Sequence, residues 1–245
     1  MERFLCSLVV LVTCSSALKL PPSFQQCDRR TSDFHDCLSN AVKDAIQQLK
    51  EPLPEYGLPK LEPFEAPKEA IVEYGDETTG IRQKYSNMKI GGYTKIENTS
   101  ASCSRGKIFD LNITFTELHF ESDYEAHGRF ILFPIDVSTT VTMLIARPTF
   151  RIHFDLEDYK KIGLRHFRVT DGTLDIDAEK MTFDYKNVFK EESLTKKFND
   201  GMDENWQNIL DYLLTAFPKF WVSLYIRIFN NLLEKVPVSE LVGGF

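Results

Sequence analysis

The sequence predicts an α+β chain in which an antiparallel sheet lies between a short N-terminal helix and a long C-terminal one. Two changes of apolar spacing carry this. Hydrophobic residues recur at helical spacing over residues 34–50, alternate one by one from about residue 71 to 185, and return to helical spacing over residues 203–235. A third observation sets the scale: 245 residues suit one domain, long enough to bury a core without a disulfide framework. At 42% hydrophobic and 27% charged residues, the composition excludes both a disordered chain and a multi-span membrane protein. A formal charge of −7 argues against nucleic acid or an anionic membrane as the partner. Nineteen phenylalanines beside nine tyrosines and two tryptophans call for a large interior or a ligand.

The first residues have the order of a secretory signal: Arg3, an apolar run over residues 4–12, then Ser15-Ser16-Ala17 with small residues at both positions a signal peptidase reads. A membrane anchor is disfavoured, because spanning a bilayer takes about twenty apolar residues. The expected organisation is a signal over residues 1–17 and a single domain over 18–245, in a secreted, extracellular protein. Cleavage removes Cys6 and Cys14, leaving Cys27, Cys37 and Cys103 in an oxidising compartment. Cys27 and Cys37 are close enough in sequence to close a small loop, worth roughly 2–3 kcal/mol. Cys103 is left over, read as a buried free thiol in preference to an intermolecular disulfide. Two sequons, at Asn98 and Asn112, fit an exported glycoprotein.

Phe34, Leu38, Ala41, Val42, Ala45, Ile46 and Leu49 make one apolar stripe, with Asp33 placed to cap the helix and Asp36 suited to its first turn. The stripe is expected to face the core. Pro52, Pro54, Pro59, Pro63 and Pro67 end the helix and force an extended segment, whose Leu53, Tyr56, Leu58, Leu61 and Phe64 should pack on the domain. In the alternating region, Phe109, Leu111, Ile113 and Phe115 share one face while Asp110, Asn112 and Thr114 share the other. Phe150, Ile152, Phe154 and Leu156 repeat the pattern, as do Val137 through Ile145 and the row Met181, Phe183 and Tyr185. Asp171-Gly172 reads as a hairpin turn. The last apolar face runs through Trp206, Ile209, Leu213, Phe217, Phe220, Leu224 and Ile228. Such a helix would be about 50 Å long, and Pro218 should kink or divide it. A transmembrane reading of this stretch is disfavoured by Asp211, Lys219 and Arg227.

Catalytic signatures are missing: no nucleophile elbow, zinc-protease helix, Walker loop or dinucleotide fingerprint occurs. The histidines His35, His119, His127, His153 and His166 are scattered, and Asp175 with Asp177 lacks the spacing of a calcium loop, so no metal or cofactor is expected. Lys160, Lys161, Arg165, His166 and Arg168 cluster beside Asp155, Glu157 and Asp158, which marks a solvated surface more than a lipid headgroup site.

Several blocks together resemble the takeout and juvenile hormone binding proteins of insects, closer to the takeout branch. They are Cys27 and Cys37 ahead of an amphipathic helix, the proline-punctuated Pro54-Glu55-Tyr56-Gly57-Leu58-Pro59-Lys60-Leu61-Glu62-Pro63-Phe64, the set Tyr124, Gly128, Arg129, Ile131, Leu132, Pro134 and Ile135, and Asp203-Glu204-Asn205-Trp206. The resemblance implies a tubular lipid-binding fold, in which a strongly curved antiparallel sheet wraps around the long C-terminal helix and leaves an elongated apolar tunnel. It departs from the family in having no second cysteine pair and in Val188-Phe189-Lys190-Glu191-Glu192, where an Asn-Gly turn is expected.

The expected function is a secreted carrier that holds a small hydrophobic molecule, such as a fatty acid, a terpenoid or a juvenile-hormone-like compound, without catalysis. Leu111, Ile113, Phe115, Phe130, Leu132, Val141, Met143, Ile152, Phe154, Trp206, Leu213, Phe217, Phe220 and Leu224 are the candidate lining residues, each with a filled core as its alternative. The rival function is a secreted interaction protein, its cavity filled by side chains and its surface meeting an extracellular receptor. A hydrolase is disfavoured because no nucleophile has an identifiable base.

Overall fold

Antiparallel strands that continue through a bend from one sheet into a second form the body of the fold. The computed structural model describes residues 17–74, 80–104, 106–130 and 133–244, so most of the expected signal lies outside the described residues. A short strand β1 (Cys27–Asp28) leads into α1 (Phe34–Gln48), and β2 (Phe64–Glu65) and β3 (Ala70–Tyr74) follow the prolines. Then come β4 (Ile81–Gly91), β5 (Ile96–Ser104), β6 (Ile108–Phe115), β7 (Glu117–Phe130), β8 (Phe133–Ala146), β9 (Thr149–Lys161), β10 (Leu164–Asp177) and β11 (Lys180–Tyr185). The chain finishes with α2 (Glu192–Glu204), α3 (Trp206–Ala216), α4 (Pro218–Leu233), α5 (Val238–Leu241) and β12 (Val242–Gly243), which pairs in parallel with β1.

Hydrogen bonding orders β10-β9-β6-β5 in one sheet and β11-β8-β7-β4 in the other, with β2 and β3 along the outer edge of β4. The two series match, because β4 runs on into β5, β6 into β7, β8 into β9 and β10 into β11. One antiparallel meander therefore passes through both sheets, as the alternating pattern implied, and its ladder breaks along a single line. That line crosses residues 92–95, Thr116, residues 147–148 and residues 178–179. Backbone bonds join strand to strand along it: Thr116 N donates to Lys95 O at 2.9 Å, Arg147 N to Thr116 O at 3.1 Å and Glu179 N to Ala146 O at 3.0 Å. Left-handed backbone at Arg147 and Gly92 makes the bend, and at Gly92 a Cβ would stand 2.2 Å from Glu117 O, so only glycine fits. On the outer side Arg147 holds the bend with ion pairs to Glu97 (2.7 Å) and Glu179 (2.8 Å).

Three expectations are corrected. Asp171-Gly172 is not a turn: β10 runs straight through it, with a bulge between Val169 and Asp171, and the β9–β10 turn is made by Ile162 and Gly163, both at positive φ. Gly172 serves a different need, since a Cβ there would lie 2.5 Å from the ring of Phe154, its register partner. Asp33 makes no side-chain cap on α1. The apolar stretch over residues 203–235 divides at Pro218 as expected, with α3 and α4 bent by 61°, but a further break at Asn205, not expected, sets α3 off from α2. Among the described residues no single helix is long and apolar enough to cross a membrane, although this bent pair is by length and composition.

The disulfide between Cys27 and Cys37 is present, with Cα atoms 5.9 Å apart, and ties β1 to the first turn of α1. The proline segment packs as expected: Asn231 Nδ2 donates to Gly57 O at 2.8 Å, and the Glu62 carboxylate accepts from Gly92 N at 2.8 Å and Thr94 Oγ1 at 3.0 Å. Helices α2 and α3 lie on β11, α4 on β10 and α1 on β5, so the helices and the bent meander enclose the apolar interior between them.

Candidate ligand cavity

Alternation along β6 turns Phe109, Leu111, Ile113 and Phe115 inward, and register sets Phe109 opposite Phe154, Leu111 opposite Ile152 and Ile113 opposite Phe150. Facing this floor, the α1 stripe of Leu38, Ala41, Val42, Ala45 and Ile46 forms a roof, and α4 contributes Tyr225, Ile228, Phe229 and Leu232. The space between them is a cavity of about 290 Å³. It extends to Leu20 and Phe24 of the lead and Leu241 and Val242 of the tail. None of the α1 residues is fully buried: Leu38, Val42 and Ile46 pack partly buried against the core, and the stripe as a whole also borders this space. The stripe was legible from spacing alone; that it roofs a cavity was not.

A second cavity of about 110 Å³ lies between the other half of the meander and the junction of α3 with α4. Tyr85, Met88, Phe120, Met143, Leu213, Phe217 and Trp221 are among its walls. Tyr93, Phe150 and Tyr225 line both cavities. Tyr93 packs edge-on against Phe115 (5.4 Å between centroids) and Phe150 (6.4 Å), and its hydroxyl lies 2.7 Å from that of Tyr225. Among the described residues these two apolar compartments share a tyrosine-phenylalanine wall. No charged side chain of the described residues lines either one.

Leu111, Ile113, Phe115, Ile152 and Phe154 line the first compartment, and Met143, Leu213 and Phe217 the second. Val141, Trp206, Phe220 and Leu224 line neither. Val141 and Leu224 are buried in packed core, and Trp206 and Phe220 pack partly buried against it. Leu132 lies outside the described residues, as does the side chain of Phe130. Inward-facing apolar residues look alike in sequence whether they meet a void or another side chain, which is why the two groups were not separable. Tyr93, Tyr225, Phe229 and Cys103 were missed, the first two because a tyrosine in a short loop or on an apolar helix gives no periodic signal.

Cys103 is a free thiol facing the first compartment, and burial raises its pKa. Burial also pushes the Tyr93 and Tyr225 phenols well above the usual tyrosine range. Asn98 and Asn112 both occupy exposed positions, on β5 and β6. His166, from the basic cluster, is buried and donates from Nδ1 to Leu233 O at 3.0 Å at the C-terminal end of α4. Its neighbours pair across the surface, Arg165 with Asp158 at 2.6 Å and Arg168 with Glu157 at 2.8 Å. Among the described residues no group of three or more histidine, cysteine or acidic side chains could hold a metal ion.

Takeout 1 of Epiphyas postvittana superposes with a TM-score of 0.70, at 17% identity, over 89% of this chain and 99% of that one. Similarity to a lipopolysaccharide binding protein is weaker, at a TM-score of 0.36 and 12% identity, over 78% of this chain and 39% of the other. No curated protein matches in sequence. A family model described as haemolymph juvenile hormone binding protein matches residues 6–243. With that match spanning nearly its whole length, the chain belongs to the haemolymph juvenile hormone binding protein family.

Proposed function

We propose that this protein is a secreted carrier that sequesters one small hydrophobic molecule, of the fatty acid, terpenoid or juvenile-hormone-like kind, in the compartment beneath α1, and that it makes and breaks no bond. The carrying observation is the 290 Å³ space walled by apolar side chains from three directions. Transfer of a ligand into it gains roughly 0.8 kcal/mol per buried CH₂, enough for a chain of ten or more carbons to bind after association costs. Membership of a family described by hormone binding, and likeness to Takeout 1, support the same reading. An open interior weighs against the rival interaction protein with a filled core. Signal cleavage after Ala17 and glycans at Asn98 and Asn112 complete the proposal.

Expression through a secretory pathway, purification without detergent and comparison of native with denatured mass test it. A stoichiometric organic molecule released on denaturation, or uptake of a fatty acid or terpenoid by the empty protein, is the expected result. A protein that is empty and refuses the whole panel would return the choice to the interaction protein.

A further inference from the structure

Inside the apolar interior, the one side-chain pair able to hydrogen bond at the wall between the two compartments, among the described residues, is that of Tyr93 and Tyr225. Each phenol has one proton to donate and lone pairs to accept with. At 2.7 Å the two hydroxyls share one hydrogen bond, and neither has another partner among the described residues. Whichever donates, the accepting hydroxyl keeps its own proton unspent, in surroundings made of Phe64, Phe115 and Phe150. A buried donor without an acceptor is costly, and the acceptor that can reach it is one carried into the compartment by a ligand.

What that ligand group can be follows from the rest of the lining. A carboxylate brought to this wall would need a cation, and no lysine, arginine or histidine of the described residues lines either compartment. An uncharged oxygen needs only the spare proton.

We propose that the Tyr93–Tyr225 hydroxyl pair is the polar anchor of the cavity and selects a neutral, oxygen-bearing apolar molecule, an ester, ketone or alcohol, over a carboxylate. The proposal rests on the carrier reading and narrows it: the tail fills the compartment under α1 and the oxygen ends at the wall shared with the second compartment. The raised pKa values of both phenols agree with a site poor in water.

Displacement of an environment-sensitive apolar dye by dodecane, dodecanol, methyl laurate and laurate, all of one chain length, provides the test. At about pH 8, where laurate is ionised, dodecanol and methyl laurate should each bind at least about ten-fold tighter than laurate, and laurate alone should gain affinity as the pH is lowered. The Tyr93→Phe/Tyr225→Phe double variant keeps both rings. In it, dodecanol and the ester should weaken roughly ten-fold while dodecane is unchanged. Laurate binding as tightly as its ester at about pH 8 would overturn the selection of a neutral ligand. An unaltered ratio of dodecanol to dodecane in the double variant would overturn the anchor. If dye and all four compounds fail to bind the parent protein, the carrier reading falls as well. Should the double variant not fold, the ratio of ester to laurate in the parent protein still decides.

Discussion

The side-chain amide of Asn230 pairs with both backbone groups of Val169, accepting from its N–H at 2.8 Å and donating to its carbonyl at 2.9 Å. Val169 sits on β10, at the open edge of the first sheet, beside the β10 bulge. Related contacts reach two further edges, β11 and β5. Asn199 of α2 accepts from Tyr185 N at 3.0 Å and donates to its carbonyl at 3.1 Å on β11, and Ser39 Oγ of α1 accepts from Ala101 N at 2.8 Å on β5. Asp203, inside the family block at the α2–α3 break, accepts from Phe183 N at 2.7 Å. Helix side chains thus occupy edge positions at which a further strand would otherwise pair.

Removing the amide in Asn230→Ala leaves two backbone groups of Val169 without partners in partly buried surroundings. Stability should fall by about 1–3 kcal/mol. Equilibrium unfolding in urea measures this, and amide exchange at Val169 should accelerate by more than exchange at β6.

Space and packing are separable by two substitutions. Ala45→Trp adds an indole to the roof of the first compartment, so ligand affinity should drop at least about ten-fold with the melting temperature little changed. Val141→Ala, at a fully buried position lining neither cavity, should cost about 1–3 kcal/mol and leave the affinity of the folded protein as it was. Calorimetry on both variants, with dye displacement alongside, distinguishes them; equal losses of affinity would place the ligand elsewhere.

Severing the covalent staple should loosen one end of the roof. Cys27→Ser with Cys37→Ser frees β1, and with it the pairing to β12, from the first turn of α1. The expected cost is roughly 2–3 kcal/mol from restored chain entropy. Ligand dissociation, followed by stopped flow, should quicken; an unchanged rate would mean that α1 does not guard the compartment.

Alkaline pH should unfold the protein through its tyrosines. Burial raises the phenols of Tyr85, Tyr93, Tyr185 and Tyr225, and raises Tyr124 to about 12. A phenol is neutral when protonated, so a folded pKa above the unfolded value of about 10 contributes stability that is complete below about pH 10 and is lost as the pH rises past it. Tyrosinate absorbance should therefore grow together with the loss of circular dichroism. Full ionisation near pH 10 in a protein that keeps its ellipticity would contradict these burials.

Periodicity by itself determined a good deal. Alternation along 108–115 and 149–156 settled which faces of β6 and β9 are wet, since a strand's side chains must alternate whatever they meet. The stripe of α1, the proline stop after it and the break at Pro218 followed from local geometry in the same way. Other features depend on partners distant in sequence. Gly172 reads as a turn until Phe154 is seen lying against it, and Asp33 reads as a cap although no donor is oriented toward it. Whether Leu111 and Val141 face a void or a neighbour is set by how far the bent meander stands from the helices. That distance is fixed by the line of bends at Gly92 and Arg147 and by the clamps of Ser39, Asn199 and Asn230, each acting across the fold. A cavity is the remainder after packing, and no residue encodes it alone.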